Sequence, residues 1–415
     1  MSKSYRWYVI GLLTVLAALN YADRAVISAL LPLMRSSFGM SNAMLGTLGT
    51  AFLWPYAVGS PLTGFFADRM PRVKVIVWSL AIWSLATLLS GLAATAGQML
   101  ATRALLGLSQ CAFAPAAVAL IAGFQPQAQR AMAIGIALAG CNLGYIVGGF
   151  LGGYSGDHFG WRPVFFLLGI SGLILAGVTA VTLRQAAATE RRPTAADRGS
   201  PIPRAPLSRL FRVRSYLIVL VESCSLSVSG WMLLFLLPFY FHESYGLNLT
   251  KAALAGTMAL QIAATLGYAF GGHISDRFAG AQRERRMLLQ SLCFSIAAPF
   301  ILVFVTHGSI ALISACLFIA SIFRAVGSTN DQVLVCEILP PNLRATGIGL
   351  MNGLNIACGA VGVQLTALLL HRLTLSTMFA STAFFYLCSA AVTFVGYRRY
   401  LQRDLALTAA AENGG

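Results

Sequence analysis

The sequence predicts an all-α polytopic membrane protein: twelve transmembrane helices in two pseudo-symmetric six-helix halves. Three observations carry this. The first is composition. Hydrophobic residues make up 57% of the 415-residue chain and charged residues 10%, with a mean hydropathy of +0.75. A soluble protein carries roughly 25% charged residues, so this chain lacks the charge to cover a water-facing surface. The second is the set of twelve long apolar runs, each near the roughly 20 residues a bilayer requires. A transmembrane barrel is excluded because its strands alternate over about ten residues. The third is the placement of the charges. The formal charge of +16 comes from 29 Lys+Arg against 13 Asp+Glu. It reads as a topology signal and not as a nucleic-acid footprint.

In order, the runs are 7–34, 43–67, 73–95, 97–124, 130–154 and 162–183 in the first half. The second half holds 215–241, 250–275, 286–306, 309–336, 344–370 and 376–397. The first run is too long for a signal-peptide core and lacks a small-residue cleavage site, so it is expected to be retained. Residues 184–214 form the one long polar stretch, rich in Arg, Ala, Ser and Pro, and read as a cytoplasmic linker. The domain reading is therefore a first half over 1–183, a linker over 184–214, a second half over 215–400 and a cytoplasmic tail over 401–415. With the N-terminus inside, 22 Lys and Arg fall in inner segments and 4 (Arg35, Arg162, Lys251, Arg372) in outer loops. Arg24, Arg103 and Arg324 lie within spans. This bias places both termini in the cytoplasm. The eight Cys fall in or at the ends of apolar runs with no CxxC spacing, so they read as core residues and not metal ligands.

The halves repeat one another. GFFADRMPRVK (64–74) follows span 2, and GGHISDRFAGAQRERR (271–286) follows span 8. PQAQRAMAIG (126–135) opens span 5 and PPNLRATGIG (340–349) opens span 11, sharing Arg-Ala-x-x-Ile-Gly. Parallel repeats of six helices are a transporter architecture with the solute site between the halves.

On these residues the chain resembles the major facilitator superfamily over essentially its whole length. The 64–74 segment resembles that superfamily's loop motif between spans 2 and 3, with Pro71 where Gly is usual. Arg103 followed by Gly107 resembles the span 4 motif, and Gly140, Gly144, Gly148 and Gly149 the glycine-rich face of span 5. Asn20-Tyr21-Ala22-Asp23-Arg24, with Gly160-Trp161-Arg162, is similar to the anion:cation symporter family, which includes sugar-acid transporters, sialin and vesicular glutamate transporters. Spinster-type lipid transporters share a similar Asn-Tyr-x-Asp-Arg stretch. The first resemblance implies proton-coupled symport of a small organic anion; the second implies movement of lysolipids or amphipathic drugs.

A charge inside hydrocarbon is costly and marks a functional candidate. Asp23 and Arg24 are adjacent near the centre of span 1, so they point about 100° apart. One can face a cavity while the other faces a neighbouring helix. The resemblance makes Asp23 the proton-linked carboxylate and Arg24 the substrate's cationic partner; the plainer reading is a static ion pair. Arg103, Gly107 and Gln110 share a helix face. Arg103 either orients helices or lines the substrate path. Gln110 stands where the resembled symporters carry a glutamate, and it cannot titrate. Glu222 in span 7 is a second proton candidate, a gate partner for an arginine, or a solvated vestibule residue. Arg324 in span 10 suits a carboxylate clamp, or pairs with an acid; Asp331 follows seven residues later on the same face. Tyr21 and Asn355 join Arg24, Arg103, Arg324 and Gln110 as expected substrate contacts. Asp68, Arg69, Arg72, Asp276 and Arg277 read as a charge latch at helix ends that favours an outward-open state. There is no phosphate-binding loop, no GxSxG and no metal cluster in the sequence. The expectation is a transporter without catalytic residues, cofactor or metal. Its partners would be a small organic anion, protons and membrane lipid. It is expected as a monomer in a bacterial inner membrane.

Overall fold

The structure, a computed structural model, describes residues 2–67, 70–184, 207–280, 282–306 and 308–405. Every regular element among them is helical. The first six crossings use α1 (Lys3–Phe38), α2 (Asn42–Ala67), α3 (Arg72–Gly91), α4 (Ala96–Gln110) with α5 (Phe113–Phe124), α6 (Gln127–His158) and α7 (Arg162–Thr182). A 3-10 turn at Leu207–Arg212 follows. The second six use α8 (Arg214–Tyr245), α9 (Leu249–Ala279), α10 (Arg285–Ile301), α11 (Ile310–Ser328) with α12 (Asn330–Ile338), α13 (Pro341–Leu369) and α14 (Leu375–Arg399). Eleven crossings among the described residues are long and apolar enough to span a bilayer. The 26-residue α2 supplies the twelfth. Residues 185–206 of the predicted linker and 406–415 of the predicted tail lie outside the described residues.

Two crossings expected as single helices are broken, each for a local reason. Span 4 breaks between α4 and α5 at Cys111 and Ala112. Pro115 has no N–H for the Cys111 carbonyl and its ring crowds that carbonyl. Span 10 breaks at Thr329, where the Thr329 hydroxyl donates to the Ala325 carbonyl at 2.8 Å and the Asn330 amide donates to the Gly327 carbonyl at 3.3 Å. Such side chains compete with the helical ladder. Pro71 sits at the N-cap of α3 with φ −56°, an angle its ring fixes, so the departure from glycine is accommodated there. Gly160, at φ +82°, makes the left-handed turn between α6 and α7. Trp161 Nε1 then donates to Ser37 at 3.1 Å and Arg162 to the Ala93 carbonyl at 3.1 Å.

The lipid-facing surface is visible as an apolar stripe. Leu167, Ile170, Ile174, Val178 and Val181 recur at three- and four-residue spacing on α7 and are all exposed. Burying that face requires hydrocarbon.

The chain divides into two compact units. The first comprises Met1–Arg198, Leu234–Gln261 and Val363–Leu368; the second comprises Gly199–Leu233, Ile262–Gly362 and Leu369–Gly415. In the first unit α1 packs most extensively on α6, and α3 on α7. The α1–α6 seam is set by glycine. A Cβ at Gly140, Gly144 or Gly148 would lie 2.4, 2.2 or 2.4 Å from the carbonyl oxygens of Thr14, Ala18 and Ala22. The four-residue spacing on both helices keeps the backbones in contact over two turns. Gly144→Val is therefore expected to destabilise the chain by at least about 1–3 kcal/mol, the usual range for overpacking. Gly135→Ala, where a Cβ meets nothing within 4 Å, is expected to be neutral. Thermal unfolding of the two variants in one detergent checks this, and equal midpoints would contradict it.

The first unit also holds the ends of the helices on the side predicted to be outer. Asp157, at the end of α6, accepts hydrogen bonds from the Leu249 and Thr250 backbone N–H groups at 2.9 Å each and from the Thr250 hydroxyl at 2.5 Å. It thereby caps the first turn of α9, where a carboxylate is favoured by the helix dipole. Gln364 on α13 accepts from the Thr50 hydroxyl of α2 at 3.1 Å. In the second unit a buried cluster of Tyr216, Val219, Met287, Leu334, Val335 and Leu343 joins α8, α10, α12 and α13.

Candidate functional site

The first unit brings Asp23, Arg24, Tyr21, Arg103 and Gln110 together. Asp23 and Arg24 diverge as adjacent helical residues must. Arg24 is half-buried, whereas Asp23 is 1% exposed. Arg24 Nε donates to Gln110 Oε1 at 2.9 Å and Nη2 donates to Asn20 Oδ1 at 2.9 Å. Its guanidinium carbon lies 4.3 Å from the ring centre of Tyr21 and 4.9 Å from those of Phe52 and Tyr56. Tyr145 packs edge-on to Tyr21 with ring centres 5.3 Å apart. Aromatic faces attract a cation and hold its plane without neutralising it. No ion pair involving Arg24 forms among the described residues. The site therefore keeps a full positive charge, with accessible surface, behind an aromatic wall.

Asp23 points about 100° away from Arg24 around α1. Neither of its carboxylate oxygens has a hydrogen-bond donor. Its largest electrostatic partner is Arg103, ahead of the Thr87 hydroxyl and Arg24. Arg103 is 2% exposed and donates through Nη1 to the Asp23 backbone carbonyl at 3.2 Å. It touches α1 from behind, which fits the helix-orienting alternative. Gln110 is fully buried and ties α4 to α1 twice: Oε1 accepts from Arg24, and Nε2 donates to the Asn20 carbonyl at 3.2 Å. Its side chain is taken up by these two contacts. A glutamate here would pair with Arg24; the glutamine leaves the arginine's charge uncompensated.

The second unit gathers Glu222, Arg324 and Asp331. Glu222 is fully buried, while Arg324 and Asp331 are half-buried. Tyr268, Tyr386, Asp331 and Glu222 are the electrostatic neighbours of Arg324, and it forms no ion pair within 4 Å among the described residues. Gly230 leaves room for the guanidinium, since a Cβ there would lie 3.0 Å from Arg324 Nη2. Asn355 stands apart from this group in the same unit. Its backbone carbonyl accepts from Ser227 at 2.5 Å, and its Oδ1 has no donor.

Of the latch residues, Asp68 and Arg69 lie outside the described residues. Arg72 Nη1 donates to the Ala119 carbonyl at 3.2 Å, near the end of α5. Asp276 pairs with Arg286 at 2.7 Å, and Arg277 is exposed. Arg286 also lies 3.6 Å from Glu337 and donates to Ser275 at 3.0 Å. Ser275 in turn donates to Asn330. The sequence reading missed Arg286 and Glu337 as the hub of this knot. Their signal was weak because Arg286 sits in a run of loop arginines. It also missed Phe52, Thr87 and Gln290, which look like ordinary packing residues until their neighbours are known.

The first unit thus joins, on one helix, a half-buried arginine held by neutral side chains and a sealed carboxyl group without a donor. The chain belongs to the Major Facilitator Superfamily, whose family description matches residues 13–363. It is 30% identical over 283 residues to the probable sulfoacetate transporter SauU of Cupriavidus necator, covering 66% of this chain and 65% of that protein, just under two thirds of its length. It is 25% identical over 378 residues to an MFS-type efflux pump of Mycolicibacterium smegmatis, covering 89% of this chain and 85% of that one. Its fold superposes on the inward-facing, occupied crystal structure of a bacterial homologue of the human lysosomal transporter Spinster with a TM-score of 0.79 at 22% identity. That match covers 97% and 99% of the two chains. The family and the long apolar helices make this an integral membrane protein of the Major Facilitator Superfamily.

Proposed function

We propose that the protein is a proton-coupled symporter of a small organic anion, a carboxylate, sulfonate or sugar acid, working by alternating access. The observation that supports this most is the state of Arg24: half-buried, held by two neutral amide side chains and an aromatic wall, with no acidic partner among the described residues. A cation so placed is stabilised by an anionic solute. The likeness to a protein named as a sulfoacetate transporter supports the same chemistry. Tyr21 and Tyr145 would stack beside the bound solute. Arg324 and Asn355 are further proposed solute contacts, and Gln110 would set the tilt of Arg24. Asp23, sealed and without a donor, would take the coupling proton, and Arg103 would hold α1 so that it does. The protein would work as a monomer in a bacterial inner membrane with both termini cytoplasmic, driven by protons flowing inward.

Proteoliposome uptake of sulfoacetate, sugar acids and monocarboxylates under an imposed inward pH gradient tests this reading. Accumulation of at least one anion above equilibrium is the expected outcome; no anion accumulated would overturn it. A second reading, export of amphipathic drugs or lysolipids, is supported by the Phe52, Tyr56 and Tyr21 wall and by the relative named as an efflux pump. In that case the same vesicles would move a lipophilic dye or lysolipid and ignore the small anions.

The motif residues Asp68, Arg69, Arg72, Asp276 and Arg277 would act as the charge latch. Asp68→Asn is expected to shift the inward/outward population without altering solute contacts. Spin-label distances across the cytoplasmic side would report it, and an unchanged distribution would reduce the motif to a topology signal.

A further inference from the structure

The second unit contains a buried spot with more hydrogen-bond acceptors than donors. Glu222 on α8 is fully buried, and neither Oε1 nor Oε2 has a donor. Its carboxyl group lies next to that of Asp331 on α12, and Arg324 on α11 is the cation whose charge acts on both without an ion-pair contact within 4 Å. Asp331 accepts from Gln290 Nε2 on α10 at 2.6 Å. Gln290 is itself fully buried, and its Oε1 has no donor. The remaining titratable groups around the spot are thiols and phenols. Cys224 lies against Glu222 and Cys358, while Tyr268 and Tyr386 face Arg324 and not the acids. The α14 contribution to Glu222 is neutral, a Ser389 hydroxyl on its backbone carbonyl at 3.2 Å.

Two carboxylates and one guanidinium would leave one negative charge in excess, and burying an uncompensated charge is costly. Two facing carboxylates also repel each other and share no hydrogen bond. One proton placed between them removes both problems: the contact becomes O–H···O, and the remaining single charge is balanced by Arg324. Gln290, a buried neutral donor aimed at Asp331, orients that acid without supplying the missing positive charge.

We propose that Glu222 and Asp331 hold one exchangeable proton between them, balanced by Arg324 and oriented by Gln290, as a second coupling-ion site in addition to Asp23. Asp331 and Arg324 keep accessible surface while Glu222 does not, so the proton enters and leaves past Asp331. An anion that draws the Arg324 guanidinium toward itself leaves the pair more negative, which couples solute arrival to proton uptake. Only this last role rests on the symport reading; occupancy of the pair by a proton does not.

Infrared difference spectroscopy of the full chain in nanodiscs, titrated with pH and without any solute, reads the proton directly through the carbonyl stretch of a protonated carboxylic acid. Glu222→Gln and Asp331→Asn keep the side-chain sizes and remove one ionisation each. Each single variant is expected to abolish the same band, and the double variant to remove nothing more. A band untouched by Glu222→Gln, or two bands lost separately, would overturn the shared proton. Loss of the wild-type band on adding sodium at fixed pH would overturn it in favour of a metal cation. In proteoliposomes, Glu222→Gln is expected to lower pH-driven sulfoacetate accumulation at least tenfold while counterflow persists. Accumulation unchanged in a variant that has lost the band would overturn the coupling role while leaving the proton site intact. If wild type moves no sulfoacetate, the symport reading fails, and the infrared result still decides the site.

Discussion

Replacing Arg24 with alanine is expected to abolish anion binding. The guanidinium is half-buried and held by the neutral side chains of Gln110 and Asn20, at 2.9 Å each. A charge-assisted, two-pronged contact of this kind contributes about 3 kcal/mol, roughly a hundredfold in affinity. Arg24→Lys is expected to recover only part of that. An ammonium is a point charge, and it cannot grip Gln110, Asn20 and a carboxylate together through one planar fork. The ring faces of Tyr21, Phe52 and Tyr56 would also lose their flat partner. Equilibrium binding to the purified variants checks the order: wild type tightest, lysine intermediate, alanine without measurable affinity. Unaltered affinity in folded Arg24→Ala would remove Arg24 from the site.

The second large effect concerns coupling. Gln110 cannot carry a proton, whereas Asp23 is sealed and has no donor on either oxygen, which is why Asp23 is proposed as the proton carrier of the first unit. Asp23→Asn is expected to lower pH-driven accumulation strongly, leaving only what the Glu222–Asp331 pair drives, and to spare exchange between two loaded compartments, because exchange needs no net proton movement. Gln110→Glu is expected to do something different in kind. A carboxylate at that position would sit at the 2.9 Å contact with Arg24 and compete with the solute for it. Affinity should fall at high pH, and the pH dependence of uptake should steepen. Uptake against an imposed gradient, measured beside counterflow for both variants, separates these outcomes. Undiminished accumulation in Asp23→Asn would remove Asp23 as a coupling site.

Much of this was legible in the sequence because hydrocarbon makes charge conspicuous. Asp23, Arg24, Arg103 and Arg324 stand out in apolar runs, and the twelve crossings follow from run length alone. The glycines at 140, 144 and 148 likewise announced a close seam, and the backbone carbonyls of Thr14, Ala18 and Ala22 fill it. Less could be read where the meaning of a residue depends on its neighbour. That Arg24 is the exposed member of the pair and Asp23 the sealed one depends on the rotation of α1, which the glycine seam with α6 sets. Thr87 and Gln290 are polar residues of a kind common in membrane helices, and only packing reveals that they lie against buried acids. Asp157 was overlooked for a related reason. It ends a glycine-rich helix, and its partner, the first turn of α9, begins 92 residues later. The breaks at Cys111 and Thr329 were readable from Pro115 and the Thr329-Asn330 pair, but long unbroken hydropathy obscured them.

The central claim is that Arg24 selects a solute for its negative charge. Calorimetric titration of the purified wild-type chain with a sugar acid and with its uncharged parent sugar, matched in size and hydroxyl pattern, tests that claim most directly. Saturable binding of the acid, no measurable binding of the neutral sugar, and loss of the difference in Arg24→Ala are the expected results. Equal affinity for the two, or a preference for the acid that survives in Arg24→Ala, would contradict it.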